Sequence, residues 1–449
     1  MTSFLTSQNI LEAIDMELNP QNIEAFFDRL WPICRSLTGD GVRETLAILQ
    51  EIIPLEVHEV PTGREVFDWT IPKEWNIREA YILTPDGRRV ADFQHNLHVL
   101  GYATPLKAKM SWEELAPHLY TLPEMPDAIP YMTSYYKERW GFCLTQNVYD
   151  TLPHEGEYEV VIDATLAPGH LTYGDLVLPG ETEEEILFST YICHPSMANN
   201  ELSGPLVTAF LYQYIASLPR RKYTYRFVFA PETIGIINYL FDHGQHMKQK
   251  TVAGYVLTCV GDEGMFTYKR SKHRTSLADR TAEHVLKNQE EPYRIIEFAI
   301  GGSDERQYCS PGFNLPVGSV TRSMYLQYPE YHTSKDNKDF ISFEAMVRTI
   351  DIYSRIVDVL ELNDAYINTQ PYCEPQLGRR GLYYAMGGNP KRNLEVPMML
   401  HLLSFADGTR DLIDMAEWQG YPAWDYQIPL QRLKDSGLLI HSSPKVSTI

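Results

Sequence analysis

The chain has 449 residues, 44% of them hydrophobic and 22% charged, with 39 Lys+Arg against 59 Asp+Glu and a formal net charge of −20. That composition describes a soluble globular protein of two or three domains, and its acidity repels nucleic acid and anionic membrane as bulk partners. Six cysteines (Cys34, Cys143, Cys193, Cys259, Cys309, Cys373) include no CxxC pair, which predicts reduced, mostly buried thiols rather than a disulfide framework.

The N-terminal stretch has no basic n-region, and no run approaches the ~20 apolar residues of a membrane span, so a cytoplasmic location is expected. A first helix is predicted in IEAFFDRLWPICRSL, with Ile23, Phe26, Phe27, Leu30, Ile33 and Leu37 on one face. Thr38–Gly41 breaks it, a second helix starts at Val42, and Leu55 to Val60 alternates like a strand. From about Thr62 to Pro168 prolines and aromatics are frequent, and short strand-like pieces (EAYILTP, RRVADF, YEVVIDA) alternate with turn signals. This stretch reads as a small β-rich domain inserted into a larger one.

An α/β pattern follows. LTYGDLVLPG and EEILFSTYIC are predicted strands, and the helix after Ser203 carries Val207, Phe210, Leu211, Tyr214, Ile215 and Leu218. YTYRFVFA ends at Pro231-Glu232 before a helical piece through Leu240, and VAGYVLTCV ends at Gly261-Asp262. Residues 276–286 are predicted helical, YRIIEFAI and VGSVTRS are strands, and SFEAMVRTIDIYSRIVDVLEL is a long amphipathic helix. The expected fold is α/β, a mostly parallel (mixed) sheet flanked by helices. From about Pro371 three short amphipathic helices (PMMLHLLSFADG, TRDLIDMAEW, IPLQRLKDSGLLI) suggest a winged helix-turn-helix. Eight Lys/Arg balance eight Asp/Glu there, which favours protein packing or homo-oligomer formation over DNA binding.

The polar residues of chemical interest stand where predicted strands end, the edge at which open α/β sheets bind ligands. His194 closes one strand, with Asn199, Asn200 and Glu201 just behind it. Imidazole and carboxylate suit zinc. Glu232 follows the next strand, where desolvation raises a carboxyl toward the range of a general base. Asp262 follows CVG, Asp304 follows GGS, and His332 and Asp336 stand four apart in YPEYHTSKDN. A carboxylate so placed commonly orients a ligand imidazole or caps a helix, so Asp336 is expected behind the ligands rather than among them. The run TYKRSKHR brings Lys269, Arg270, Lys272, His273 and Arg274 close after Asp262, as a site for a carboxylate, phosphate or acidic sugar would.

Taken together, His194, NNELSG (199–204), PETIG (231–235), CVGD (259–262), GGSD (301–304) and HTSKD (332–336) resemble the zinc-dependent aminopeptidase family, whose fold also serves glutaminyl cyclases and some carboxypeptidases. The three-part layout resembles an aminopeptidase-like branch associated with surface-polysaccharide biosynthesis. The resemblance implies a discontinuous α/β domain (1–61 plus 169–365), an inserted β-rich domain (62–168) and a winged-helix-like domain (366–449). It also implies a metal site. Asn200, however, stands where the family has a bridging Asp, Thr233 replaces the second Glu of a Glu-Glu pair, and Thr258 aligns with a further Asp. Two co-catalytic metals need about six ligand bonds and a shared carboxylate, so the expectation is one divalent ion, most simply zinc. His194, His332 and one of Glu201 or Asp262 would hold it, with Glu232 as general base. Asn200 and Asp336 would stand behind the ligands, and Asp304, Arg270, Lys272 and Arg274 would contact substrate. The expected substrate is a small peptide-like or amino-sugar-like amide with an acidic group. The competing expectation is a catalytically silent protein that uses the same cleft for recognition.

Overall fold

The computed structural model describes residues 17–383 and 394–442; the outer ends of the first and last expected domains, residues 1–16 and 443–449, and 384–393 within the last lie outside them. The chain divides into two compact units. One runs to Ala278 and resumes over Pro292–Asp351, and the other takes Asp279–Glu291 and continues from Ile352.

The first unit opens with α1 (Pro20–Leu30) and α2 (Asp40–Leu49). Helix α1 stops at Leu30, short of the Leu37 expected; Trp31 is still helical in its backbone, but Pro32 has no N–H to continue the helical hydrogen bonds. Strand β1 (Glu56–Pro61) is the first of eight in a mixed sheet. The chain then leaves that sheet for a hairpin, β2 (Glu65–Val66) and β3 (Trp69–Thr70), followed by β4 (Glu74–Leu83) and β5 (Arg89–Val90). After β6 (Leu106–Met110) come α3 (Trp112–Leu115), a short parallel pair β7 (Leu119–Tyr120) and β8 (Phe142–Cys143), α4 (Gln146–Tyr149) and β9 (Tyr158–Ala167). Strands β5, β4, β9 and β6 form an antiparallel sheet of their own. Its core includes Trp75, Ile82, Leu100, Phe142, Tyr158 and Ile162.

The chain re-enters the main sheet at β10 (His170–Leu178) and β11 (Glu185–Tyr191). Every residue of β11 is buried, as expected of a central strand covered on both faces. A π-helical turn, Ala198–Leu202, leads into α5 (Ser203–Ser217). Then follow β12 (Thr224–Ala230), α6 (Ile234–Lys250), β13 (Thr251–Val256) and β14 (Phe266–Lys269). Helix α7 (Leu277–Lys287), β15 (Tyr293–Ile296), α8 (Glu305–Tyr308), β16 (Val317–Thr321) and α9 (Phe343–Leu362) complete the α/β pattern. The strand order is β1-β10-β12-β11-β13-β16-β14-β15. Strands β12, β11, β13 and β16 are parallel neighbours, so their C-terminal ends share one edge. At that edge Gly204 lets α5 pass close: a Cβ there would lie 2.4 Å from the Leu257 carbonyl oxygen.

The second unit is a winged helix. Helices α10 (Glu395–Phe405), α11 (Leu412–Gln419) and α12 (Gln427–Asp435) accompany a sheet of β17 (Ala365–Asn368), β18 (Asp407–Asp411) and β19 (Leu439–His441). Thr409 to Asp411, expected to begin a helix, lies in β18. Asp411 instead caps α11, its side chain accepting from the Asp414 N–H.

Candidate functional site

His194 lies three residues beyond β11 and is buried, 4% exposed. Its Nδ1 meets Glu201 Oε2 at 2.9 Å, and Cys193 Sγ is 3.3 Å from the same nitrogen. Arg35, from the segment between α1 and α2, donates from Nε to the His194 carbonyl (3.0 Å) and stands 3.7 Å from Glu201 Oε1. Neither Arg35 nor the Glu201 side chain has solvent exposure. Burial works against an imidazolium, but the hydrogen bond and charge of Glu201 outweigh it and raise the His194 pKa.

With Nδ1 held by Glu201, His194 turns Nε2 toward Glu232, whose Oε2 is 3.8 Å away. The His332 ring lies 5.5 Å from the His194 ring, centre to centre. Two imidazoles sharing a tetrahedral zinc at 2.0–2.1 Å would have ring centres about 5 Å apart, so the pair fits a common ion. Among the described residues His332 Nε2 is buried without a hydrogen-bond partner. Burial, with His194 nearby, pushes this imidazole down to about 3, so it is neutral, as a metal ligand must be. Its backbone has φ 56°, and its carbonyl accepts from the Tyr131 N–H at 2.8 Å.

Tyr131, from the loop before β8, places its ring 5.0 Å from His194 and 5.1 Å from His332. A bridge between Pro130 and Thr333, with Ser334 donating to the Ile129 carbonyl, ties this loop to the His332 turn. Residues of the inserted stretch thus help build the site.

The remaining expected residues take different places. Glu201 orients His194 through Nδ1 rather than facing the space between the two histidines. Cys193, His194 and Glu201 do offer ligand atoms within 4.8 Å of one another, but a cation there would sit beside the Arg35 guanidinium. Asp262 is not brought to the histidines. Its carboxylate accepts from Asn199 Nδ2 (2.7 Å), Ser323 N and Oγ (3.1 and 2.7 Å) and Gly264 N (2.6 Å), so its acceptor capacity is taken by loop hydrogen bonds. Asp336 accepts from the Asn199 and Asn200 N–H groups at 2.6 and 2.9 Å, capping the π-helical turn. Burial nevertheless pushes its carboxyl up to about 7.

Asn200 donates from Nδ2 to Tyr191 Oη, which lies 2.6 Å from Thr258 Oγ1; Thr258 in turn donates to the Asn200 carbonyl at 3.0 Å. Neutral groups therefore fill the place where the resemblance puts carboxylates.

Glu232 is half-buried, and desolvation raises its pKa against the pull of His194 and Arg306. Its peptide N–H reaches Cys193 Sγ at 3.3 Å. Next to it Thr233 adopts φ 65°, held by its N–H to Asp304 Oδ1 (2.8 Å) and by Arg306 Nη2 donating to its Oγ1 (2.9 Å). Such backbone persists only where its surroundings fix it. Asp304 is 1% exposed. It therefore positions the Glu232–Thr233 turn instead of presenting a carboxylate to substrate.

The basic run also differs from expectation. Arg270 and Arg274 both pair with Glu297 at 2.8 Å, Lys272 is exposed, and Lys269 is buried against Glu305 at 2.5 Å. The cation beside Glu232 is Arg306, which no motif singled out. Arg35 and Tyr131 were likewise missed, since they stand in segments remote from any strand edge.

Residues 24–363 match a family described as a domain of unknown function, DUF4910, and residues 364–441 match a winged helix-turn-helix family. The chain belongs to the DUF4910 family. A Clostridium acetobutylicum protein, named as a polysaccharide biosynthesis protein with an aminopeptidase-like domain, is 47% identical over 394 residues, 88% of this chain and 90% of its own. A crystal structure of a peptidase so named from the same organism covers 94% of this chain and 96% of its own, at 43% identity and TM-score 0.88. The fold extends to a zinc aminopeptidase of Bacillus subtilis, at TM-score 0.54 and 13% identity, over 76% of this chain and 95% of that one. This DUF4910 member thus joins an aminopeptidase-like fold to a C-terminal winged helix.

Proposed function

We propose that the chain is a metal-dependent amide hydrolase of aminopeptidase type with a single-metal site. One observation carries the reading: the buried imidazole of His194 and the half-buried one of His332 stand 5.5 Å apart, the latter with a buried Nε2 that has no hydrogen-bond partner among the described residues, beside a half-buried glutamate. His194 and His332 would hold a divalent cation, most simply zinc. When bound, such a cation supplies Lewis acidity, polarising a carbonyl and making water more acidic. Glu201 and Arg35 fix the imidazole of His194. Glu232 accepts a proton from the attacking water and passes it to the leaving amine. Tyr131 packs its ring against both histidines, and Arg306 supplies the positive charge beside Glu232 that an acidic group on the substrate would meet. The name of the Clostridium relative favours a small amino-sugar-like or peptide-like conjugate of polysaccharide metabolism as substrate.

A second reading, a silent cleft used for recognition, is favoured by the neutral Asn200, Thr233 and Thr258. Turnover separates the two. The zinc-loaded chain is assayed on aminoacyl amides, dipeptides and amide-bearing sugars, alongside Glu232→Gln. Hydrolysis of at least one class, lost in the variant, supports the enzyme; turnover that survives the variant removes Glu232 from the mechanism, and inertness towards every class favours the silent cleft.

A further inference from the structure

A cavity of about 380 Å³ lies between the β2–β3 hairpin, α6 and the turn after α8. Phe67, Trp69 and Phe313 supply aromatic walls, and Ile237 and Leu240 supply aliphatic ones. Phe313 packs directly on α6 because residue 244 is glycine: a Cβ there would lie 2.3 Å from the ring.

Phe67 is the unexpected part. It is the first of two residues linking β2 to β3, where Val66 pairs with Trp69, and its φ is 54°. A positive φ at that turn position belongs to glycine and is an outlier for a bulky side chain. The protein's own packing does not account for the choice. The ring makes edge contacts with Phe241 (5.1 Å) and Phe313 (5.9 Å), yet stays 58% exposed. Trp69 is also exposed, against Tyr136 at 5.2 Å. Strained backbone that displays an uncovered ring over a cavity is a feature of ligand sites.

The cavity adjoins the candidate centre along the chain. Ile237 donates its N–H to the Thr233 carbonyl, one helical turn from Glu232, and the lining residue Gln307 follows Arg306. Among the described residues Asp68 is the only charged group in the lining, so anions are disfavoured. The volume falls within the roughly 300–1,000 Å³ of small-molecule sites, which combine apolar walls with a few polar groups.

We propose that this cavity binds a neutral, ring-shaped apolar group, and that the inserted hairpin exists to complete it. Its use as a subsite for the substrate's side group rests on the hydrolase reading; its capacity to bind a ring does not, and binding is therefore what is measured. The full chain, labelled with 5-fluorotryptophan at its seven tryptophans, is titrated with indole and followed by fluorine NMR, with Trp69→Phe assigning the Trp69 signal. The expected result is a saturable shift of that signal with millimolar indole, absent with methyl glucoside. Phe67→Gly, which suits the turn, and Ser310→Trp, which fills the cavity, should each weaken binding at least tenfold without moving the other tryptophan signals. His332→Ala should leave it intact. An unmoved Trp69 signal, equal binding by both cavity variants, or an equal response to methyl glucoside would overturn the proposal.

Discussion

The two sides of the candidate site, both built near the C-terminal edge of one sheet, differ in charge. On one side His194, Glu232 and His332 bring ionisable groups together, with a buried His332 Nε2 that no group among the described residues satisfies. On the other, Tyr191, Asn200 and Thr258 bond to one another through neutral groups, with Asn200 Oδ1 left buried and unpartnered among the described residues. A cation needs nearby donors and negative charge to offset its dehydration, and a second cation needs a shared carboxylate as well. On the proposed reading the first side holds one ion. The second side replaces that requirement with a hydrogen-bond network, whose contribution is to stability.

Substitutions on the two sides should therefore fail in different ways. The largest effect belongs to Glu232→Gln, which should keep fold and metal while lowering turnover by about 10²–10⁴, measured on a substrate identified in the panel. Next is Arg35→Met. It leaves Glu201 buried without its cation, and removing one partner of a buried pair costs about 3–5 kcal/mol; Arg35 and Glu201 are 3.7 Å apart, so denaturant unfolding should show about 3 kcal/mol. Thr258→Val, on the neutral side, removes the acceptor of the Tyr191 hydroxyl and the side-chain donor to the Asn200 carbonyl. It should cost about 1–3 kcal/mol in the same experiment and leave metal content unchanged.

The smallest effect is a slope. Burial raises Asp336 from 3.8 to about 7 in the fold. The folded chain therefore holds the proton more tightly than the unfolded chain across that window, and this group's contribution to stability declines as pH rises from about 4 to 7. Asp336→Asn, despite weakening the cap, should flatten that limb in metal-free protein. An unchanged slope of unfolding free energy against pH would assign it to another group.

The strand ends and the histidine and glutamate they carry were legible because strand, turn and helix leave periodic traces, and because parallel strands present their C-terminal ends together. Direction was not legible. Asp262 and Asp304 are near the ends where they were expected, but spacing does not say whether a carboxylate faces a cleft or a loop N–H. Arg35 and Tyr131 came from outside the α/β pattern, so nothing local marked them. The early end of α1 was readable from Pro32. The short β17 and β18 were not, because four or five residues carry too little periodicity.

The central claim is one metal held by His194 and His332. The direct measurement is metal content per chain after zinc loading and removal of excess, on the wild type and on His332→Ala. The account predicts one equivalent in the wild type and none in the variant, with the variant still folded by circular dichroism. Two equivalents in the wild type, or one retained without His332, would contradict it.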